Sequence, residues 1–195
     1  AELIDDGRDA DKLAFRRDAH DYRNLLLTEQ PNEDYAVTMG RQFFFDVWHY
    51  FTLKGLTESS DERIAGIAAK ALKEVTYHLR RSSEWVKRLG DGTEESHRRM
   101  QDAVDILWRF TGELITPDDT DRVMAEAGIG PDLDQLAKDW RGMVNEVLLQ
   151  ATLTPGAEDA WMYMGGKHGE HTEHLGFILA EMQFLQRAYP DATTW

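Results

Sequence analysis

The segment Phe43-Phe44-Phe45-Asp46-Val47-Trp48-His49-Tyr50-Phe51 constrains this chain more than any other. One carboxylate stands among seven apolar or aromatic residues and one histidine. Wound into a helix, the stretch is apolar around its whole circumference, so other elements must cover it on every side. Asp46 is thereby drawn into the interior. A buried carboxylate without a partner is costly, so it is protonated, paired or bound to a metal. Which of the three applies is the main functional question the sequence poses.

The surrounding pattern is helical almost throughout, with Gly and Pro at the breaks. Phe15, Ala19, Tyr22 and Leu26 share one helix face that ends before Pro31. A second helix is expected from about Asp34 to Thr57. In the third, Asp61 is the N-cap and Gly90 the stop. Its inward seam reads Ile64, Ala68, Ala71, Val75, His78, Ser82, Trp85 and Leu89, the alternation of a helix packed in a bundle. A fourth helix turns Met100, Val104, Leu107, Thr111 and Leu114 inward. Thr116-Pro117-Asp118-Asp119 caps a short helix ending near Gly128, and Pro131-Asp132 opens one carrying Leu133, Leu136, Trp140, Met143 and Val147. After Gly165-Gly166 a last helix places His171, Leu175, Ile178, Met182, Leu185 and Tyr189 on an inward stripe. The expectation is a single all-α domain over residues 1–195, in bundle style.

Charge and composition remove several function classes. The net charge of −14 argues against sequence-independent nucleic-acid binding and against docking on anionic membranes. No apolar run approaches the roughly 20 residues of a membrane helix. Ala1-Glu2-Leu3-Ile4-Asp5-Asp6 lacks the basic and apolar regions of a signal peptide, and the absence of cysteine fits the cytoplasm.

Bundles that hold two metals draw on lone carboxylates and Glu-x-x-His pairs, because i, i+3 residues share a helix face. The third helix offers Glu74-Val75-Thr76-Tyr77-His78, in which Tyr77 occupies the histidine place and His78 lies one residue late. Lys73 is adjacent, and its ammonium competes for the same carboxylates. Asp46, Glu74 and His78 thus form either a metal site or a buried, ion-paired polar cluster. Glu94-Glu95-Ser96-His97 is a strict match, but its place just after Gly92 marks a helix start. His171 and His174 have ligand spacing and equally suit satisfied interface or core histidines. Trp48, Trp161 and Tyr163 are candidate contact aromatics.

Several longer motifs converge on one family. They are Leu25-Leu26-Leu27-Thr28-Glu29-Gln30-Pro31-Asn32, Arg41-Gln42-Phe43-Phe44-Phe45-Asp46-Val47-Trp48-His49, Ala69-Lys70-Ala71-Leu72-Lys73-Glu74 with Tyr77-His78-Leu79-Arg80, Leu107-Trp108-Arg109-Phe110-Thr111, and His171-Thr172-Glu173-His174-Leu175-Gly176. From about Leu13 onward the chain resembles the C-subunit family of the bacterial phenylacetyl-CoA epoxidases. The resemblance implies a ferritin-like bundle that starts here after the family's first two helices. It also implies a non-catalytic chain partnered by a catalytic A subunit holding a di-iron centre, with association through exposed apolar surface, further copies of itself included. On that resemblance Asp46, Lys73, Glu74, Tyr77 and His78 mark a vestigial metal site. The competing expectation is a di-metal carboxylate oxidase using Asp46, Glu74, His78, His171 and His174.

Overall fold

The computed structural model describes residues 7–192, so the reading of the first six residues as lacking a signal peptide falls outside it. The described residues are helices and connecting loops, the all-α, ferritin-like class expected. They divide into two compact units: Asn32–Tyr163, and Ala1–Pro31 together with Met164–Trp195.

The larger unit is built around α2 (Tyr35–Leu56). Asp34 caps its start by accepting from the Val37 amide at 2.9 Å. Helix α3 (Glu62–Gly90) returns after a five-residue connection, and α4 (Glu94–Trp108) and α7 (Leu133–Gln150) complete the cover. All three pack on α2, and α3 also touches α4 and α7. Between them lie α5 (Gly112–Ile115) and α6 (Asp119–Glu126). Asp61, Thr93, Asp118 and Asp132 cap α3, α4, α6 and α7 with their side chains, so the polar punctuation of the sequence sets the helix starts.

At the centre Phe44, Trp108 and Trp140 form a triangle with ring centroids 5.9–6.0 Å apart. The Trp140 indole N–H donates to the Phe44 carbonyl at 3.0 Å, tying α7 to the middle of α2. Leu53, Ala68 and Val75 make a second core between α2 and α3, flanked by Tyr50, Leu56, Ala71 and Leu72. Gly90 closes α3 where its chain meets the 151 backbone: a Cβ there would lie 2.3 Å from the Ala151 carbonyl oxygen.

The α3 seam differs from the expected one in its second half. Leu79, Ser82, Val86 and Gly90 are buried, whereas His78 is exposed. Leu79 has no polar atom to leave in water and turns inward where the imidazole of His78 can stay hydrated, while Trp85 remains half-buried against Tyr35, ring centroids 5.2 Å apart.

In the other unit the expected helix through Phe15, Ala19, Tyr22 and Leu26 is broken. Helix α1 covers only Ala10–Phe15, followed by single turns at Ala19–Asp21 and Leu26–Glu29. Asp18 and Asp21 cap each other's backbone around the first turn, a local alternative that outcompetes helix continuation. Helix α8 (Glu173–Ala188) packs on α1 and on both turns. Its buried stripe is Leu175, Leu179 and Gln183, not the expected Ile178, Met182, Leu185 and Tyr189, all of which are exposed. Gln183 decides the orientation: its amide donates to the Arg17 carbonyl at 3.0 Å and to the Tyr22 hydroxyl at 2.9 Å.

Replacing Trp140 by Ala removes a fully buried indole and its hydrogen bond, an expected loss of about 3–5 kcal/mol. Leu149→Ala, on an exposed part of the same helix, is expected to change stability by less than about 0.5 kcal/mol. Urea unfolding of the two variants measures both.

Candidate functional site

Asp46 lies on the buried side of α2 with only 1% of its surface exposed. Its Oδ1 accepts from the Gln42 amide at 2.6 Å, one turn earlier on the same helix. Its Oδ2 accepts from the Ser82 hydroxyl of α3 at 2.7 Å. The Ser82 oxygen also stands 3.2 Å from the Leu79 carbonyl, so its single proton has two acceptors in reach. Burial pushes the Asp46 carboxyl above the ordinary aspartate value. The bonds from Ser82 and Gln42, and the fields of His78 and His49, pull the other way without cancelling it. His49 responds oppositely: burial holds its imidazole below the ordinary histidine value against the pull of Asp46, with His78 adding to the depression. His49 also stacks on Trp48, with centroids 6.2 Å apart and planes at 26°.

The remaining residues expected at this site lie elsewhere. Lys73, Glu74 and His78 are exposed, and Tyr77 is 63% exposed. Among the described residues no ion pair joins Lys73 to Asp46; the carboxylate is satisfied by neutral donors instead. The expected ion-paired cluster of Asp46, Glu74 and Lys73 is therefore not what the structure builds. Seating Leu79 and Ser82 in the seam leaves the 73–74 and 77–78 positions outside. Sequence reasoning missed Gln42, His49 and Ser82 as partners of Asp46. Gln42 and His49 had a local signal, since i−4 and i+3 share a helix face with position 46. Ser82 stood in the expected seam as a mere core position.

A second polar cluster sits in the smaller unit. Glu29, 1% exposed, accepts four bonds: from the Asn24 amide (2.8 Å), His171 Nδ1 (2.7 Å), the Thr172 amide (2.8 Å) and the Thr172 hydroxyl (2.7 Å). The His171 Nε2 faces the Tyr22 carbonyl at 3.2 Å. The ring is thus held from both edges. Thr172 is the N-cap of α8, so the Glu29 carboxylate also sits at the positive end of that helix. His171 is thus a clamp holding the 22–29 segment to α8. His174 is half-buried in the first turn of α8. His97, from the strict Glu-x-x-His match, places Nδ1 2.7 Å from the Gly90 carbonyl and helps to cap the end of α3.

Among the described residues no group of three or more His, Cys, Asp or Glu is placed to hold a metal ion. The donor set itself argues the same way. Asp46 has both oxygens engaged, Glu74 and His78 are exposed, and His171 is committed to Glu29. These residues do not fit a carboxylate-bridged pair of metals.

Comparison with known proteins now assigns the chain to a family. The profile described as "Phenylacetic acid catabolic protein" matches residues 1–195. The chain belongs to this family. It is 49% identical over 190 residues to the C subunit of the 1,2-phenylacetyl-CoA epoxidase of Escherichia coli (strain K12), a match covering 97% of this chain and 76% of that protein. No helix among the described residues is long and apolar enough to cross a membrane.

Two outcomes follow from these clusters. Because the folded state raises the Asp46 value, the folded protein keeps a proton at pH values where the unfolded chain has released it. Stability contributed by this group therefore falls as pH rises from near the unfolded value, about 3.9, through the folded one, and is flat above it. Asp46→Asn accepts from Gln42 and donates to Ser82, so it is expected to be more stable than the parent at pH 7 and no more stable below about pH 4. Denaturation midpoints across that range measure the difference. Glu29→Ala leaves the Asn24 amide, the His171 ring and the Thr172 amide and hydroxyl without their shared acceptor, with an expected cost of at least about 1–3 kcal/mol. Hydrogen exchange should show the accompanying loss of protection at residues 24–29 and 172–175.

Proposed function

We propose that this chain is a structural, non-catalytic subunit of a multicomponent phenylacetyl-CoA epoxidase acting in phenylacetate catabolism in the cytoplasm. The di-iron centre belongs to a separate, catalytic A subunit, which this chain stabilises by helix packing. The observation that carries the reading is the 49% identity, over nearly the whole chain, to a protein named as the C subunit of such an enzyme. On this reading Asp46, Lys73, Glu74, Tyr77 and His78 occupy the positions of a metal site that no longer serves one. Asp46 keeps its place in the interior because Gln42 and Ser82 satisfy it without a cation.

Exposed apolar surface supports association. Phe177 and Phe184 of α8 are 67% and 65% exposed, and Ile178, Met182 and Leu185 lie between them and beyond. Trp161 and Tyr163 form a second exposed aromatic group, edge to face at 4.4 Å, with Tyr163 stacked on Phe110 at 4.8 Å. Surface of this kind marks sites of contact between proteins.

Co-expression with the A subunit tests the proposal. The A subunit is expected to be soluble and active when this chain is present, and to lose yield or activity when it is left out. Full activity of the A subunit alone, or epoxidation by this chain alone, would overturn it.

A further inference from the structure

Between the end of α4, α5, α7 and residues 155–162 lies a cavity of about 360 Å³. This is within the range of small-molecule sites, commonly about 300–1,000 Å³. Hydrogen bonds hold the aromatic part of its wall. The Trp108 indole N–H donates to the Ala157 carbonyl at 3.1 Å, fixing the 155–158 segment against the helices. Gly156 lies so close on that indole that a Cβ would come within 2.2 Å of the ring. The Thr111 hydroxyl donates to the Trp108 carbonyl at 2.8 Å, and the Trp140 N–H is taken by Phe44. The donors of the aromatic wall are therefore spent inside the protein.

What remains free toward the cavity is a small polar set on an apolar lining. Arg141 and Asn145 stand one turn apart on α7 and share a face. Neither has a hydrogen bond or ion pair among the described residues. Arg98 and Arg99, by contrast, bond to Glu95. Ile115 and Met162 supply apolar lining beside the Trp108 ring. Glu158 also lines the cavity and is exposed.

We propose that this cavity binds a small carboxylic acid with a compact apolar body, its carboxylate held by Arg141 and Asn145. A guanidinium fork matches a planar carboxylate with two parallel bonds, and a neighbouring amide supplies a third donor. The volume limits the body. It equals roughly a dozen waters of liquid, enough for one ring and a short side chain. The ligand class is therefore the free aryl- or alkyl-alkanoate. This site is independent of membership in the epoxidase complex, so its test does not depend on the A subunit.

Phenylacetate is the probe, titrated into the purified chain by calorimetry and by tryptophan fluorescence, since Trp108 and Trp140 line the site. Saturable binding is expected. It should weaken at least tenfold in Arg141→Met, an exposed position whose change leaves the core intact, and at least tenfold for phenylacetamide, the neutral analogue of the same shape. Absence of saturation at millimolar concentration would overturn the proposal. So would equal binding by Arg141→Met with its fold verified by circular dichroism, or equal affinity for acid and amide.

Discussion

The need to cover α2 on all sides organises the larger unit. A helix with Phe43, Phe44, Val47 and Leu53 buried, and with Phe45, Trp48 and Tyr50 partly so, has no face suited to water. Helices α3, α4 and α7 each contribute one apolar stripe to it, and each can leave its opposite face polar. The cover is directional where it most needs to be. The Trp140 indole bonds a carbonyl in the middle of α2, so α7 can slide neither along the axis nor around it without losing a buried hydrogen bond. Asp46 is the cost of wrapping such a helix completely. Its carboxylate enters the interior with its neighbours, and the sequence supplies Gln42 and Ser82 to meet it.

The two buried carboxylates show two different solutions to one electrostatic problem. Asp46 is met by neutral donors, and burial keeps its proton affinity high. Glu29 is met by four donors, one of them an imidazole with an acceptor on its far side. The first arrangement tolerates a proton on the acid. The second ties together chain segments more than 140 positions apart. In both, each carboxylate oxygen accepts at least one hydrogen bond.

Much of the fold was legible because helix starts are written locally. Asp34, Asp61, Asp118 and Asp132 each precede an apolar repeat and each caps the helix it precedes. The burial of Asp46 was legible for a similar reason, since its neighbours on every side are apolar. Its partners were not. A serine 36 positions away joins it only through the register of two helices, and periodicity fixes that register to no better than one residue. That single residue decides whether His78 or Leu79 faces inward. Helix α8 failed for another reason. It is apolar on most of its circumference, so the repeat could not choose a buried stripe, and a glutamine with three backbone and hydroxyl acceptors chose it instead. The 15–26 segment kept helical spacing while reciprocal aspartate caps broke the helix.

The distribution of indoles has a practical side. Five of the six tryptophans, Trp48, Trp85, Trp108, Trp140 and Trp161, belong to the 32–163 unit, and the sixth is the terminal Trp195. Intrinsic emission therefore reports mainly the melting of the unit that holds five of them. If the Glu29–His171 clamp opened first, a fluorimeter would record a single sharp transition, while backbone ellipticity would already have begun to decline.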